Sequence, residues 1–243
     1  LRMVLVFDLD KRTVDYRGNN PGAEFTMPIG VAVDDQDRLY VSDGHRALIT
    51  CFSPQGDPLA VLGHQVVERP TGLAVDRARK RLYVADTKAN RIAMFNTETF
   101  QLEGYLGSPS TPGEREPGKF AAPTNLTVDG NGNLYVTDTW NHRVQIFDAK
   151  GKFLRAFGEH GTAVGNFVRP KGIAVDPEGH IYVADAEFNN IQVFSPEGQP
   201  LLAIGAWGTA PGQFALIAGL AIDRNGRIYA TDQWEGRLQI FQY

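Results

Sequence analysis

The chain has 243 residues, is 42% hydrophobic and carries a formal net charge of −4 at pH 7. This length and apolar content can support a substantial core within one domain. The mild acidity and the lack of a basic run argue against nucleic acid as a partner, because phosphate recognition favours a basic face. No apolar run approaches the ~20 residues needed to cross a bilayer. We interpret the one cysteine, Cys51, as a small buried hydrophobe.

Residues 1–18 are predicted to form two strands. They match the second half of a unit that recurs downstream: Phe7 takes the place of Phe147, and Gly18 takes the place of Gly158. The first half of that unit is absent, so we expect residues upstream of the given chain.

Five copies of this unit begin at residue 28. Each has an apolar phrase, such as PIGVAVD from Pro28 or PKGIAVD from Pro170, and then a second phrase, such as LYVTD. The second phrase ends at an aspartate, and an aromatic residue follows nine positions later in every copy. The aspartates are Asp43, Asp86, Asp138, Asp185 and Asp232, and the aromatics are Phe52, Phe95, Phe147, Phe194 and Phe241. A fixed spacing in five copies indicates a repeat architecture.

The third copy shows the strands predicted within one unit. Residues 125–129 form a short apolar run, GNGN is a turn signal and LYVTD follows, which predicts a tight hairpin. RVQIF and KFLRAFG then alternate polar and apolar residues, as half-buried strands do. The unit therefore predicts four short antiparallel strands, and units of this size indicate a β-propeller.

The pattern P-x-G-[apolar]-A-V-D … [LI]-Y-V-[AT]-D-[TA]-x-N-x-R resembles the NHL repeat over residues 28–243. The resemblance is to bacterial NHL proteins, and it implies one all-β propeller domain, residues 1–243, most simply with six blades. Residues 1–18 would be the outer strands of an incomplete blade; a five-bladed propeller would leave one of these strands unused. The repeat cores are placed at about 28–63, 70–107, 123–158, 170–205 and 217–243.

Recurring polar residues are interpreted as structural. An aspartate present in every blade can accept backbone N–H bonds, whereas an active site is normally one asymmetric constellation. The arginines that open the third strands, Arg91, Arg143 and Arg237, are expected to tie neighbouring blades through carbonyl groups. DGNGN at residues 129–133 lacks the spacing of a calcium loop, and the five histidines show no close metal spacing. We predict no catalytic residues, no metal and no cofactor, with His142 structural.

Loops that differ between blades are the candidate binding residues. The loops after the second strands and the loops between blades share one face of a propeller, and all three tryptophans fall in them. Aromatic and charged residues on an exposed face suit macromolecular binding. The predicted binding residues are Trp140, Trp207, Trp234, Phe188, His45 and Lys88. The alternative is that the tryptophans fill the gaps between blades, whereas the linker phenylalanines, Phe25, Phe120, Phe167 and Phe214, are expected to pack in the core.

These observations predict a non-catalytic binding or scaffolding propeller, most simply periplasmic or extracellular, whose partner is another protein. The resemblance also implies an alternative, because related six-bladed propellers include lactonases and amidating lyases that work from a central channel. Asn125, which replaces a repeated glycine, and Lys171 are the polar residues predicted at such a channel mouth.

Overall fold

The computed structural model describes residues 2–8, 11–18, 24–111 and 114–242. These residues form an all-β structure of 23 strands and one 3₁₀ turn. Strand β1 (Val4–Asp8) pairs antiparallel with β2 (Thr13–Arg17) as a separate two-stranded sheet.

Five larger antiparallel sheets follow, and we call them blades 1–5. Blade 1 contains β3 (Pro28–Val33), β4 (Leu39–Asp43), β5 (Leu48–Phe52) and β6 (Pro58–Leu62). Blade 2 contains β7 (Pro70–Asp76), β8 (Arg81–Asp86), β9 (Arg91–Asn96) and β10 (Leu102–Leu106). A short parallel pair, β11 (Ser108–Pro109) and β12 (Lys119–Phe120), precedes blade 3.

Blade 3 contains β13 (Pro123–Val128), β14 (Leu134–Asp138), β15 (Arg143–Phe147) and β16 (Phe153–Phe157). Blade 4 contains β17 (Pro170–Val175), β18 (Ile181–Asp185), β19 (Asn190–Phe194) and β20 (Pro200–Ile204). Blade 5 has three strands, β21 (Ile217–Ile222), β22 (Ile228–Asp232) and β23 (Arg237–Phe241). The prediction of an all-β blade architecture is confirmed. The described residues contain five blades and the β1–β2 hairpin, rather than six complete blades.

The chain divides into two compact units. Unit 1 comprises residues 1–89 and 93–105, and unit 2 comprises residues 90–92 and 106–243. Unit 1 includes blade 1, and unit 2 includes blades 3, 4 and 5. The three tryptophans all belong to unit 2.

Apolar residues bury the faces between adjacent blades in each unit. In unit 1, Tyr40 and Ile49 of blade 1 share a core cluster with Val84 of blade 2. Cys51 belongs to the same cluster, and burial raises the pKa of its thiol to about 11. This confirms Cys51 as a buried hydrophobe. In unit 2, blade 4 packs on blade 3 through one cluster and on blade 5 through another.

The linker phenylalanines are buried, as predicted. Phe167 lies against Gly158. The φ of Gly158 is 89°, which favours glycine, and a Cβ at this position would lie only 2.4 Å from the Phe167 ring. Gly18 and Phe25 of unit 1 repeat this contact: φ of Gly18 is 97°, and a Cβ would lie 2.3 Å from the Phe25 ring. The β1–β2 hairpin thus ends against blade 1 in the same way as β15–β16 ends against blade 4.

Candidate functional site

The repeated aspartates fix the loops at one end of each blade. Asp185, for example, accepts hydrogen bonds from the backbone N–H groups of Val168 (2.8 Å) and Glu187 (2.9 Å). One carboxylate therefore joins the linker that enters blade 4 to the loop that follows β18. All five aspartates are buried, and this structural role is the one that the repeat predicts.

In blade 3 the repeated aspartate accepts hydrogen bonds from three side chains. Asp138 Oδ2 accepts hydrogen bonds from Arg143 Nε, Asn141 Nδ2 and Gln145 Nε2, each at 2.9 Å. The Arg143 side chain is almost fully buried, and it also donates to the carbonyl of Lys119 at 2.8 Å. Burial raises the pKa of Asp138, although hydrogen bonds from Ala121, Asn141 and Arg143 act in the opposite direction. Arg143 therefore ties down the linker entering its own blade, whereas the sequence predicted ties between neighbouring blades.

The strand directions place the variable loops of each unit 2 blade at one end. Strands β14 and β16 both run antiparallel to β15, so the loops that follow them leave blade 3 at the same end. The first loop carries Trp140 and the second begins the linker with His160. In blade 5, Asp232 accepts from the N–H of Leu216 (3.0 Å) and from that of Glu235 (3.4 Å). It thereby holds the linker of Trp207 beside the loop of Trp234.

The tryptophan side chains of unit 2 are exposed. Trp140 is 61% exposed, Trp207 is 75% exposed and Trp234 is 77% exposed. Trp140 lies in the 3₁₀ turn Thr139–Asn141, and its backbone N–H donates a hydrogen bond to the carbonyl oxygen of Ala121 at 3.0 Å. The alternative in which these indoles fill the gaps between blades is wrong, because a gap-filling ring would be buried. We call Trp140, Trp207 and Trp234 the tryptophan surface.

The other predicted binding residues are distributed between the two units. Phe188 of unit 2 is half-buried, and its N–H donates to Asp185 at 3.3 Å. His45 and Lys88 belong to unit 1, and both are exposed. Lys88 forms an ion pair with Glu68 at 3.2 Å. Phe188 is therefore the one member of this group that shares a unit with the tryptophan surface.

Asn125 and Lys171 lie on neighbouring inner strands of unit 2. Asn125 Oδ1 accepts from the N–H of Leu126 at 2.9 Å, so the side-chain amide is partly used within its own strand. Thr137 Oγ1 receives the N–H of Asn125 (3.0 Å) and donates to the carbonyl of Lys171 (2.8 Å), which links β13 to β17. Burial and the nearby Arg169 lower the pKa of the half-buried Lys171.

The DGNGN segment is a hairpin turn closed by its own aspartate. Asp129 Oδ1 accepts from the N–H groups of Asn131 (2.9 Å) and Asn133 (2.8 Å), and Oδ2 accepts from Asn133 Nδ2 (2.8 Å) and Tyr135 Oη (3.1 Å). Four donors therefore occupy this carboxylate. Across the described ranges, no group of three or more His, Cys, Asp or Glu residues is placed to hold a metal ion.

Two histidines that the sequence does not associate are in contact. The rings of His142 and His160 lie 4.5 Å apart between centroids. They are 18 positions apart in the chain, so local spacing gave no signal. The fold brings them together because one follows β14 and the other follows β16.

The NHL repeat family matches the chain at residues 25–52, 120–147 and 167–194. These segments fall in the first, third and fourth of the five sequence units, so the predicted NHL resemblance is confirmed there. A protein of known structure from Bacteroides thetaiotaomicron has the same fold, with a TM-score of 0.70 at 18% identity over 98% of this chain and 66% of that one.

Two animal proteins show closer sequence similarity. The Xenopus laevis peptidyl-glycine alpha-amidating monooxygenase B is 34% identical over 143 residues, which is 54% of this chain and 16% of that protein. A probable peptidyl-alpha-hydroxyglycine alpha-amidating lyase of Caenorhabditis elegans is 33% identical over 152 residues, covering 62% of this chain and 39% of that protein. The matched region is thus less than half the length of either relative.

No helix in the described part of the chain has the length and hydrophobicity required to span a bilayer.

Proposed function

We propose that the protein is a binding or scaffolding propeller that captures another protein through the tryptophan surface. The observation that carries this proposal is the exposure of all three indoles of the chain in loops of one unit. Exposed large aromatic residues are unfavourable in water, and tryptophan is enriched at the binding hot spots of interfaces. A partner that covers these rings would recover their burial energy.

The charge around the tryptophans favours a protein over a nucleic acid. Glu159 and Glu235 are exposed in the same sets of loops as the tryptophans, and the exposed Glu187 pairs with Arg169 at 3.6 Å. Carboxylates there repel phosphate groups, whereas nucleic-acid affinity needs a basic patch that releases counterions. We therefore infer a partner with apolar side chains and some basic groups.

Replacing all three tryptophans with alanine should weaken partner binding by at least about 2 kcal/mol, because hot-spot aromatic residues contribute on that scale. The partner would first be identified by crosslinking to the immobilised wild-type protein, and its affinity for both proteins would then be measured by calorimetry. Leu154→Ala, at an exposed position on the outer strand of blade 3, is the control and should bind normally. An unchanged affinity of the triple variant would contradict the proposal.

A second candidate function is lyase or hydrolase activity centred on the inner strands. It is supported by the 33% identity to the probable amidating lyase and by Lys171, a half-buried amine on β17 whose pKa is lowered by burial and by Arg169. If this candidate is correct, the wild-type chain should cleave a peptidyl-alpha-hydroxyglycine to the amidated peptide and glyoxylate. Lys171→Met should reduce that rate at least about 100-fold, the low end for losing an acid–base group. A Lys171→Met rate equal to that of the wild type would remove Lys171 from the reaction.

We also propose that the β1–β2 hairpin is the outer half of a sixth blade. The Gly18–Phe25 contact supports this, since it repeats the Gly158–Phe167 contact that follows the fourth strand of blade 3. Val4 of β1 also packs on the buried cluster of Phe25, Val41 and Phe52, just as Val144 of β15 shares a cluster with Phe167.

A further inference from the structure

His142 and His160 form a pair of imidazoles at the loop end of blade 3. Their ring centroids are 4.5 Å apart, and the ring planes are inclined by 54°. His142 is half-buried and His160 is exposed. The pair is therefore accessible from solvent, and its inner member has a defined position.

A backbone carbonyl fixes the tautomer of His142. Its Nδ1 atom lies 2.9 Å from the carbonyl oxygen of Val168. A carbonyl oxygen can only accept a hydrogen bond, so Nδ1 must carry the proton. In the neutral ring, Nε2 then holds the free lone pair. Metal-binding histidines are oriented by this kind of outer hydrogen bond from the second ring nitrogen to a carbonyl or carboxylate.

The residue in the place of His142 differs between blades: blades 2 and 4 have an asparagine there, whereas blades 1 and 5 have Ala47 and Gly236. Asn90 and Asn189 stand at the equivalent position, four residues after the repeated aspartate, and have nearly the same positive φ of 54° and 53°, against 52° for His142. Asn90 Oδ1 accepts from the N–H of Ala122, and Asn189 Oδ1 accepts from that of Ile217, each at the entry to the next blade. His142 likewise bonds to the linker that enters the next blade, through the carbonyl of Val168, and it also contacts His160.

His160 also has an equivalent elsewhere in unit 2. It forms an isolated parallel bridge with Phe167, and Trp207 forms the same bridge with Phe214. One linker therefore presents an imidazole where the next presents an indole. Both histidines lie at the same end of blade 3, and their rings are in contact there. Neighbouring blades have other residues at both positions, so this pair of imidazoles is specific to blade 3.

We propose that His142 Nε2 and a ring nitrogen of His160 together bind one divalent transition-metal ion. Imidazole nitrogen is a preferred ligand of zinc, copper and nickel ions, and zinc–nitrogen bonds are about 2.0–2.1 Å long. The other coordination positions are taken by water or by a group of a bound molecule. This site goes beyond the proposed protein-binding surface and does not depend on it.

The test is titration of the untagged full chain with Zn²⁺, followed by calorimetry. We expect one saturable site, and both His142→Asn and His160→Asn should weaken its affinity by at least about tenfold, the lower range for disturbing a protein metal site. His142→Asn restores the residue that blades 2 and 4 carry, so it should fold. His64→Asn is the control, since His64 is exposed in unit 1, and it should leave the affinity unchanged.

Fluorescence gives a second readout of the same site. Cu²⁺ bound at His142 should quench Trp140, which lies two positions before it in the chain, and Trp140→Phe should remove most of the quenching. The proposal is overturned if wild-type protein shows no saturable site. It is also overturned if both histidine variants bind Zn²⁺ as tightly as the wild type, or if His64→Asn causes the same loss.

Discussion

Replacing Arg143 with methionine should lower the free energy of unfolding by about 3–5 kcal/mol, because breaking a buried ion pair leaves its partner uncompensated. The Arg143 side chain is 2% exposed and lies 2.9 Å from the fully buried carboxylate of Asp138. Methionine fills similar space but donates no hydrogen bond, so Asp138 loses its cation and the carbonyls of Glu116 and Lys119 lose a donor. Urea denaturation followed by circular dichroism measures the loss.

Arg237→Met is the matched control for this prediction. Arg237 occupies the same repeat position in blade 5, but its side chain is 27% exposed and lies 3.5 Å from Asp232. Water can solvate the groups that lose Arg237, so the expected loss is only about 1–2 kcal/mol. Equal losses for the two variants would show that burial of the Asp138 network contributes little to stability.

Phe167→Ala should destabilise the protein by a similar amount, about 3–5 kcal/mol, which is typical when a buried aromatic side chain is truncated. Phe167 is fully buried, and its ring centroid lies 5.6 Å from that of Phe194 in blade 4 and 6.3 Å from that of Phe157 in blade 3. Its removal would leave a cavity between these two blades.

The control for this cavity is Leu154→Ala in blade 3. Leu154 is 44% exposed on strand β16, and truncation there leaves no enclosed space. We expect a loss below about 1 kcal/mol. A Phe167 variant as stable as the Leu154 variant would mean that the linker phenylalanines are not needed to hold the blades together.

The strands of each blade could be predicted from sequence because their signals are local. The alternation in RVQIF and the GNGN turn each lie within a few residues, and the fixed interval from Asp138 to Phe147 repeats in every copy. The alternation also predicted that this strand would be half-buried, which is wrong, because all five residues of β15 are buried. The buried positions of Phe120, Phe167 and Phe214 were predictable for the same reason, since a repeated aromatic has a repeated environment.

The functional features depend on contacts that the sequence does not contain. The exposure of Trp140 depends on how the 3₁₀ turn directs its side chain, and the sequence alone left a buried ring equally acceptable. The His142–His160 contact joins two loops through the strand order of blade 3. The number of blades also could not be fixed, because it depends on how all the units pack together and not on any one of them.

The most direct test of the tryptophan surface is the stability of single alanine variants at Trp140, Trp207 and Trp234. Denaturation curves followed by circular dichroism give the free energy of unfolding without knowledge of the partner. Exposed side chains contribute little to stability, so each variant should remain within about 0.5 kcal/mol of the wild type. A loss of about 3–5 kcal/mol in any of the three would instead identify that indole as part of the core, and would contradict the assignment of these loops as the binding surface.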